Sequence, residues 1–372
     1  MKKLARNRLR VKAFQKLMAF AGWLNNIPAR TTPPPFRLLQ IGSAFWQSRA
    51  LYVAAKLGLA DEIGDGRKAV SEIAAALELH EGHLYRLMRM LNAIGIFREV
   101  SPGVFENSAA SHYLRADNEK SMRAMILMHN SPQMTKAWTE SLEACVRTGC
   151  IPFERSNGQD LFTYMDHDQD FDLLFARAMD AVEGLAGSAF LQDFDWGTFE
   201  RIIDVGGSKG SKSISILRAH PALRAVVFDR PQVIAAARDD WRGKVPDELL
   251  ARIEFEPGDM FEAIPAARSE RDLYLLIAIF HGLSDEECAT VLQRLRSAAG
   301  DKRPYVLFGD AVADEINIDP TIASMDMQML VNTRGRERTR SEWTHLLEQN
   351  GFALIDVIDA RTFAKFILAR PR

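Results

Sequence analysis

A glycine-rich turn between two apolar runs constrains the fold of this chain more than any other feature. The run Arg201-Ile-Ile-Asp-Val-Gly-Gly-Ser-Lys-Gly210 is followed by a helix-like segment and then by Val226-Val-Phe-Asp229. A strand, a glycine turn, a helix and a second strand form one βαβ unit. The glycines let the backbone approach a ligand at the N-terminus of the helix, and an acid that ends the second strand suits a ribose diol. The pattern therefore predicts a site for a nucleoside cofactor.

An acid inside the turn separates two kinds of cofactor. The dinucleotide fingerprint Gly-x-Gly-x-x-Gly neutralises a pyrophosphate, whereas this turn is Asp204-x-Gly206-x-Ser208-x-Gly210. Asp204 would repel a pyrophosphate but would suit the ammonium group of an amino-acid moiety. S-adenosylmethionine contains an amino acid and a ribose and no phosphate. The turn and Asp229 together therefore favour S-adenosylmethionine.

Length and composition are those of a soluble globular protein with two domains. The chain has 372 residues, of which 47% are hydrophobic and 26% are charged. No window approaches the ~20 apolar residues of a membrane helix, and no secretory signal is evident. Cys145, Cys150 and Cys288 have neither metal-ligand nor CxxC spacing. We therefore expect reduced thiols, a cytoplasmic location and no bound metal.

Positive charge is concentrated at the start of the chain. Residues 1–60 contain eleven Lys and Arg residues and no acid. Within residues 1–20, apolar residues alternate with the basic residues Lys2, Lys3, Arg6, Arg8, Arg10, Lys12 and Lys16. Three interpretations stay open for this segment: peripheral contact with an anionic membrane, a helix on a partner subunit, or a flexible extension. Thr31-Thr-Pro-Pro-Pro35 predicts a linker, so residues 1–35 form a first segment.

Residues 36–116 have the pattern of a winged-helix domain. Helical spacing covers Phe36 to about Leu59, Ala69–Leu77 and Glu81–Ile94, and a hairpin follows at Phe97–Val100 and Val104–Glu106. Residues 61–115 contain eight acids and six bases. This net negative charge is unsuited to phosphate, so we expect no nucleic-acid partner and favour a dimerisation domain in a homodimer.

Residues 117–195 are predicted to form a helical connector rich in Met and aromatic residues. Such stripes are usually core, but some can line an apolar pocket because Met adapts to irregular ligands. The candidate pocket residues for a small-molecule substrate are His129, Trp138, Phe175, Met179 and, from a later segment, Met329.

Residues 196–372 alternate apolar runs with helical segments. The predicted strands are Ile202–Val205, Ala225–Phe228, Ile253–Glu256, Leu273–Ile277 and Tyr305–Phe308, followed by the pair Ala353–Ile358 and Ala364–Ala369. The final pair lacks an intervening helix and predicts an antiparallel hairpin. The fold class is therefore α/β, a Rossmann-like doubly wound sheet closed by a C-terminal hairpin.

Two further groups follow the third and fourth predicted strands. Asp259, in Gly258-Asp-Met260, could accept a hydrogen bond from an exocyclic amine, while Met260 packs on a purine face. His281 lies just before Ser284, which together with Glu287 forms a predicted capping box. A histidine between a strand end and a helix start faces the ligand crevice of such a sheet, and this position favours a catalytic role over a structural one.

Taken together, these residues resemble the small-molecule O-methyltransferases of the caffeic-acid type, which are S-adenosylmethionine-dependent dimers of plants and bacteria. The resemblance covers the chain from about residue 40 onward. It rests on the succession Asp204–Gly210, Phe228-Asp-Arg-Pro231, Gly258-Asp-Met260, His281–Glu287, and Asp326-Met-Gln-Met-Leu330 with Gly335-Arg-Glu-Arg-Thr339.

The resemblance implies a role for each matching residue. His281 is expected to be the general base, oriented by Glu337, and Asp310 matches a position where the family usually has Glu. The expected binding site for S-adenosyl-L-methionine comprises Asp204, Gly206, Gly210, Asp229, Arg230, Asp259, Met260, Phe261 and Ile277. The expected activity is methyl transfer to a hydroxyl of an apolar or aromatic small molecule, as in bacterial secondary metabolism.

Several positions depart from the family pattern. Ser208 replaces a glycine, which is tolerable if its backbone angles are ordinary. Gly282 and Leu283 stand where Asp-Trp is common, and Ile277 stands where Lys is frequent. Two alternatives stay open: the same fold and cofactor with N- or C-methylation or a non-methylating reaction, and a non-enzymatic regulator, which the acidic winged-helix segment disfavours.

Overall fold

The chain folds into two compact units. The computed structural model describes residues 4–362 and 364–372, so Lys2 and Lys3 of the basic segment lie outside the described residues. The larger unit comprises the described residues of Met1–Met18 together with Ser188–Arg372, and the smaller unit comprises Ala19–Gly187. The predicted division into segments 1–35, 36–116, 117–195 and 196–372 stays a prediction.

The start of the chain belongs to the larger unit. The Arg6 amide donates to the Asp193 carbonyl at 2.7 Å, and the Asp195 amide donates to the Leu4 carbonyl at 2.8 Å. Leu4 is buried with Phe194 and other apolar residues. Helix α1, Arg8–Asn25, follows. The flexible extension is therefore wrong for residues 4–11, because apolar burial anchors them. No helix among the described residues is long and apolar enough to cross a membrane.

The proline run begins a helix rather than a linker. Helix α2 ends at Thr31, and only Thr32 and Pro33 separate it from α3. Pro34 and Pro35 lie in the first turn of α3, where a missing amide hydrogen costs nothing. The predicted break in the helix is present at Thr32 and Pro33, but the linker does not extend over all of residues 31–35, because Pro34 and Pro35 belong to α3. The first helices of the smaller unit are α2 Ile27–Thr31, α3 Pro34–Leu57, α4 Leu59–Ile63, α5 Val70–Ala76 and α6 Glu81–Ala93.

A small antiparallel sheet completes the winged-helix part. Its strands are β1 Arg67–Ala69, β2 Phe97–Ser101 and β3 Val104–Asn107, in the order β1-β3-β2. The sequence predicted the β2–β3 hairpin but missed β1, because three residues without a β-branched side chain carry no strand signal. The sheet and helices enclose a core that includes Leu59, Ile73, Met88 and Phe105.

The rest of the smaller unit is helical, as predicted. Trp138 lies in a single π-helical turn, Ala137–Ser141. The helices are α7 Arg123–His129, α8 Pro132–Lys136, α9 Leu142–Thr148, α10 Pro152–Asn157, α11 Leu161–His167 and α12 Gln169–Ala186, with a 3₁₀ turn at Ser111–Leu114.

One cysteine pair departs from the expectation of reduced thiols. Gly149 caps α9 with φ +74° and turns the chain back. Cys150 is thereby brought to Cys145, with a Cα–Cα distance of 4.6 Å and a disulfide between them. Cys288 is a buried free thiol. Sequence spacing could not reveal this pair, since it depends on the left-handed turn between the two cysteines.

The larger unit is built on a mixed sheet, which confirms the predicted fold class. Its described residues form seven strands in the order β6-β5-β4-β7-β8-β10-β9, and the five strands from β6 to β8 in that order run parallel. β10 is antiparallel to both β8 and β9, so the second strand of the predicted hairpin lies inside the sheet. The strands are β4 Arg201–Val205, β5 Arg224–Asp229, β6 Ile253–Pro257, β7 Asp272–Ile277, β8 Tyr305–Asp310, β9 Phe352–Asp359 and β10 Lys365–Pro371.

Both faces of this sheet are covered. Ile203 and Ile202 are adjacent on β4 and belong to different buried clusters, as the alternation of side chains in a strand requires. The helices of the larger unit are α13 Phe190–Asp193, α14 Ser211–Ala219, α15 Pro231–Trp241, α16 Asp247–Leu250, α17 Asp285–Ala299, α18 Pro320–Asn332 and α19 Arg340–Gln349, with 3₁₀ turns at Trp196–Thr198, Phe280–Gly282 and Gly300–Lys302. The carboxyl ends of β4 to β8 consequently share one edge, where doubly wound sheets bind ligands.

Candidate active site

The glycine turn after β4 has the left-handed and closely packed backbone that its sequence predicts. Gly206 has φ +71° and Gly210 has φ +81°, a region that favours glycine. A Cβ atom on Gly206 would lie 2.5 Å from Cδ1 of Ile279. The Gly206 amide donates to the Phe228 carbonyl at 2.8 Å and ties the turn to β5. Helix α14 begins directly after Gly210, so its first backbone amides, which have no acceptor within the helix, lie at the turn.

Ser208 does not meet the condition of ordinary backbone angles under which it would replace glycine without cost. Its φ is +51°, which costs a non-glycine residue about 1–2 kcal/mol. The Ser208 amide donates to Oδ2 of Asp229 at 2.8 Å, and the Arg230 amide donates to Oδ1 at 2.7 Å. The two amides therefore hold the Asp229 carboxylate at the end of β5. The hydrogen bond from the Ser208 amide offsets part of the backbone strain at Ser208.

Asp204 lies at the same edge but is buried. Its side chain accepts a hydrogen bond from Ser213 Oγ at 2.7 Å, which joins β4 to α14. A Cβ on Gly207 would lie 2.8 Å from Cγ of Asp204, so the turn packs tightly over this carboxylate. The structure therefore gives Asp204 a clear role in holding the turn together.

The predicted adenine-binding residues follow β6. The Asp259 side chain is exposed, and its Oδ1 accepts from the Phe261 amide at 2.8 Å. Met260 and Phe261 are half-buried against the core. Ile277 is half-buried at the end of β7, and Arg230 precedes α15. The acidic side chains can accept hydrogen bonds from a ribose diol and an exocyclic amine, and the apolar surface beside them matches a purine face. These residues therefore fit S-adenosylmethionine.

His281 and Glu337 form a hydrogen-bonded pair although they are 56 positions apart in the chain. His281 lies in the 3₁₀ turn after β7, and its Nδ1 is 2.9 Å from Oε1 of Glu337. The Glu337 side chain has no exposed surface, whereas 19% of the His281 side chain is exposed. A carboxylate at Nδ1 places the proton there and leaves Nε2 as the basic nitrogen. The predicted capping box of Ser284 and Glu287 is present and begins α17 next to this turn.

Asp310 is a second buried acid near His281, at the end of β8. Within the described residues, neither of its oxygens makes a well-aligned hydrogen bond. Burial raises the pKa of Asp310 to about 6, against which the nearby charge of His281 acts. Burial alone would lower the pKa of His281, but the Glu337 hydrogen bond and the charge of Asp310 outweigh it, so that pKa is raised. The three groups thus interact electrostatically in a site that excludes most water.

The candidate substrate-pocket residues are distributed over both units. Phe175 is half-buried and Met179 is exposed on α12, which packs along α7, where exposed His129 is the last residue. Trp138 is half-buried in the π-helical turn. Met329 is half-buried on α18 of the larger unit. Their role as pocket residues stays a prediction.

Two residues that hydrogen-bond the backbone near His281 and Glu337 were not predicted from the sequence. Asp326 Oδ1 accepts from the Glu337 amide at 2.8 Å, and Arg338 bonds the backbone around His281. Both lie in the motifs that carried the resemblance, but no spacing rule pointed to their contacts. In the part of the chain that the structure describes, no group of three or more His, Cys, Asp or Glu side chains could hold a metal ion.

The fold is that of solved methyltransferases, some of which hold S-adenosylmethionine or its demethylated product. The chain belongs to the O-methyltransferase family. The model of the O-methyltransferase domain matches residues 138–353, and the model of the O-methyltransferase dimerisation domain matches residues 39–117. The protein is therefore a methyltransferase, its cofactor is S-adenosylmethionine, and it carries the dimerisation domain of its family.

Relatives with known activities differ in the atom that they methylate. The phenazine O-methyltransferase of Lysobacter antibioticus is 32% identical, over 93% of this chain and 99% of the relative. The phenazine-1-carboxylate N-methyltransferase of Pseudomonas aeruginosa is 34% identical, over 89% of this chain and 96% of the relative. An O-methyltransferase from neocarzinostatin biosynthesis, solved with S-adenosylmethionine and 2-hydroxy-5-methyl naphthoic acid, has a TM-score of 0.73 and 26% identity, over 88% of this chain and 96% of that chain.

Proposed function

We propose that this enzyme methylates a hydroxyl group of an apolar or aromatic small molecule and that His281 is the general base. The observation that carries the proposal is the 2.9 Å contact between His281 Nδ1 and Glu337 Oε1. A phenol has a pKa near ~10 and is a poor nucleophile at neutral pH, so it needs a proton acceptor. An imidazole whose other nitrogen faces a buried carboxylate is suited to that task.

His281 and Glu337 divide the work of the proton transfer. S-adenosylmethionine supplies an activated methyl group when bound. His281 Nε2 accepts the hydroxyl proton as the acceptor oxygen forms its new bond to carbon. Glu337 fixes the ring and stabilises the imidazolium that results, as the acid of a triad does. The products are a methyl ether, the demethylated cofactor and a proton on His281.

The cofactor site in this proposal lies at the ends of β4 to β7. Asp229 accepts hydrogen bonds from the ribose hydroxyls, and Asp259 accepts a hydrogen bond from the exocyclic amine. Met260 and Phe261 cover the adenine. The glycine turn, Asp204, Arg230 and Ile277 complete the site. Support comes from the held carboxylate of Asp229 and from the half-buried apolar surface beside Asp259.

A second candidate is methylation of nitrogen, which the relative from Pseudomonas aeruginosa favours. A neutral ring nitrogen carries a lone pair and needs no base. The two candidates therefore differ in their need for His281. The substrate-pocket residues His129, Trp138, Phe175, Met179 and Met329 belong to the proposal in either case.

The deciding experiment compares His281→Ala with the wild type, using methyl-labelled cofactor and paired acceptors that offer either a phenol or a ring nitrogen. We expect transfer to the phenol to fall by ~10²–10⁴-fold, with cofactor affinity nearly unchanged. His345→Ala, which changes an exposed histidine on α19, serves as the matched control. Label on nitrogen with full activity of His281→Ala would support the second candidate instead.

We also propose a homodimer formed through α3. This helix exposes a group of large apolar side chains, Phe36, Leu38, Leu39, Ile41, Phe45 and Trp46, and a patch of this kind on one helix marks an interaction surface. The match of residues 39–117 to the dimerisation domain supports the same assignment. No finding supports membrane contact through residues 1–20, and Leu4 and Val11 of that segment are buried. The cytoplasmic location stays a prediction.

A further inference from the structure

Arg338 is a buried cation whose side chain is only 1% exposed. Its Nη1 donates to the Phe280 carbonyl at 2.7 Å, and its Nη2 donates to the Leu283 carbonyl at 2.9 Å. Nε and Nη2 also donate to Oδ1 of Asp285, at 3.0 and 2.8 Å. The two carbonyls flank His281 in the chain. One guanidinium therefore bonds the backbone on both sides of the histidine.

The segment that Arg338 holds has little regular structure of its own. His281 lies in a 3₁₀ turn of three residues, Phe280–Gly282, and α17 begins only at Asp285. A 3₁₀ turn has poorer hydrogen-bond geometry than an α-helix and is stable only as a short piece. The guanidinium fork supplies donors in a fixed plane and so limits the movement of the turn relative to the start of α17.

The segment that carries Arg338 is itself fixed in place. The Ala313 amide donates to the Arg338 carbonyl at 3.0 Å, and Thr339 caps α19 in a capping box with Glu342. Gly335 lies so close to the His281 carbonyl that a Cβ at position 335 would collide with it. Glu337 and Arg338 are therefore adjacent residues of one anchored segment, and one contacts the imidazole while the other contacts the backbone that bears it.

We propose that Arg338 is a positioning residue, which holds the Phe280–Leu283 backbone so that His281 meets the acceptor in a productive geometry. This inference rests on the proposed function, because it acts through His281. Arg338 itself touches none of the reacting atoms in this scheme. Its contribution is to the rate of the chemical step, since a misplacement of about 1 Å in a catalytic group can lower the rate by about 10²-fold.

Arg336 provides a matched control because it binds the same carboxylate. Its Nη2 donates to Oδ2 of Asp285 at 2.8 Å, and its Nη1 lies 2.9 Å from Glu342. It is about half exposed. Replacement of each arginine by lysine keeps the positive charge and removes the planar fork. Arg338→Lys should therefore free the carbonyls beside His281, whereas Arg336→Lys should weaken only side-chain contacts of Asp285 and Glu342.

The test measures kcat and KM with a phenolic acceptor and cofactor affinity by calorimetry. We expect Arg338→Lys to lower kcat by about 10–100-fold, with KM and cofactor affinity within about 3-fold, and Arg336→Lys to match the wild type. In a His281→Ala background, Arg338→Lys should have no further effect, because a positioning residue acts only through the group that it positions. Wild-type kcat in Arg338→Lys, an additive effect in the double variant, or a joint loss of kcat and cofactor affinity would each overturn the inference.

Two comparisons distinguish a failure of the Arg338 role from a failure of the proposed function or of folding. If His281→Ala keeps full activity, the proposed function fails, whereas an inactive His281→Ala beside a fully active Arg338→Lys refutes only the role of Arg338. If Arg338→Lys does not fold, Asp285→Asn tests the same arrangement by weakening the carboxylate that orients the guanidinium. A smaller loss of kcat with intact cofactor affinity is then expected, and unchanged kcat would refute the inference.

Discussion

The carboxylate of Glu337 contacts the imidazole of His281 from a segment that lies beyond β8 and α18, with 2.9 Å between Oε1 and Nδ1. The contact has two physical consequences. It holds the ring in one orientation, and together with the charge of Asp310 it outweighs the effect of burial, so that the pKa of His281 is raised. A raised pKa means that the basic form becomes abundant only at higher pH. The pair should therefore be visible in the pH dependence of the rate.

The first prediction concerns Glu337→Gln. The amide can still hydrogen-bond the ring but carries no charge, so the pKa of His281 should fall and the acidic limb of the pH–rate profile should move to lower pH. Turnover should decrease less than in His281→Ala, because the imidazole keeps some basicity without its partner. Steady-state rates measured from pH 5 to pH 9 test this. If the acidic limb stays at the same pH, Glu337 does not affect the pKa of the group that titrates, and the prediction is wrong.

The second prediction concerns Asp229→Ala. Loss of this carboxylate removes the acceptor proposed for the ribose and also releases the Ser208 and Arg230 amides. We expect cofactor affinity to fall by about 10–100-fold, since hydrogen bonds to a charged group contribute about 1.5–3 kcal/mol. Calorimetric titration with the cofactor measures the change. Asp239→Ala, which changes an exposed acid on α15, is the control, and equal affinity in both variants would refute the ribose assignment.

The third prediction concerns Asp310→Asn and stability. The pKa of Asp310 is about 6 in the folded chain against an ordinary value of 3.8, so the folded state favours the protonated acid. Stability of the wild type is therefore lost as the pH rises from about 4 through about 6. Asp310→Asn should therefore have a higher free energy of unfolding than the wild type. This difference should be larger at pH 8, up to about 3 kcal/mol, than at pH 5.

Urea unfolding at both pH values measures this difference. Asp301→Asn, at an exposed position, should show no such dependence on pH. A gain for Asp310→Asn that is equal at pH 5 and pH 8 would contradict the raised pKa.

The fourth prediction concerns Gly282→Asp, which restores the acid common in the family. Among the residues that the structure describes, no atom outside the two chain neighbours lies within 4 Å of a Cβ built at this position, and its φ is not in the left-handed region. The variant should therefore fold with little change in melting temperature. Its carboxylate should raise the pKa of His281 further and move the acidic limb of the rate profile to higher pH. Gly282→Asn has the same shape without the charge, so a shift of equal size there would rule out an electrostatic cause.

The fifth prediction concerns assembly. Ile41→Asp places a charge within the apolar face of α3 and should convert a dimer into single chains, as measured by light scattering at micromolar concentration. Ile316→Asp changes an isoleucine that is also exposed, 79% against 61% for Ile41, but lies in the larger unit. It should leave the mass unchanged. A wild-type protein with the mass of one chain would reject the homodimer altogether.

The sequence alone determined the architecture of this protein. Alternation of apolar runs and helices predicted the strands of the large sheet, and the glycine turn with Asp229 predicted the cofactor. Both depend on local chemistry: strand burial has a period of two residues, and left-handed turns favour glycine. Position along the chain also predicted that His281 lies at the ligand edge of the sheet, because the carboxyl ends of parallel strands share one edge, while its role as the base stays a prediction.

Only the tertiary structure decided how these groups work together. The φ of +51° at Ser208, the burial of Leu4, and the pairing of Cys145 with Cys150 depend on contacts or turns that no residue pattern encodes. The same holds for Arg338, whose guanidinium meets the Phe280 and Leu283 carbonyls across more than fifty residues of chain. Burial is a property of the folded molecule, so the pKa of Asp310 and the contacts of His281 arise only when distant segments exclude water from them.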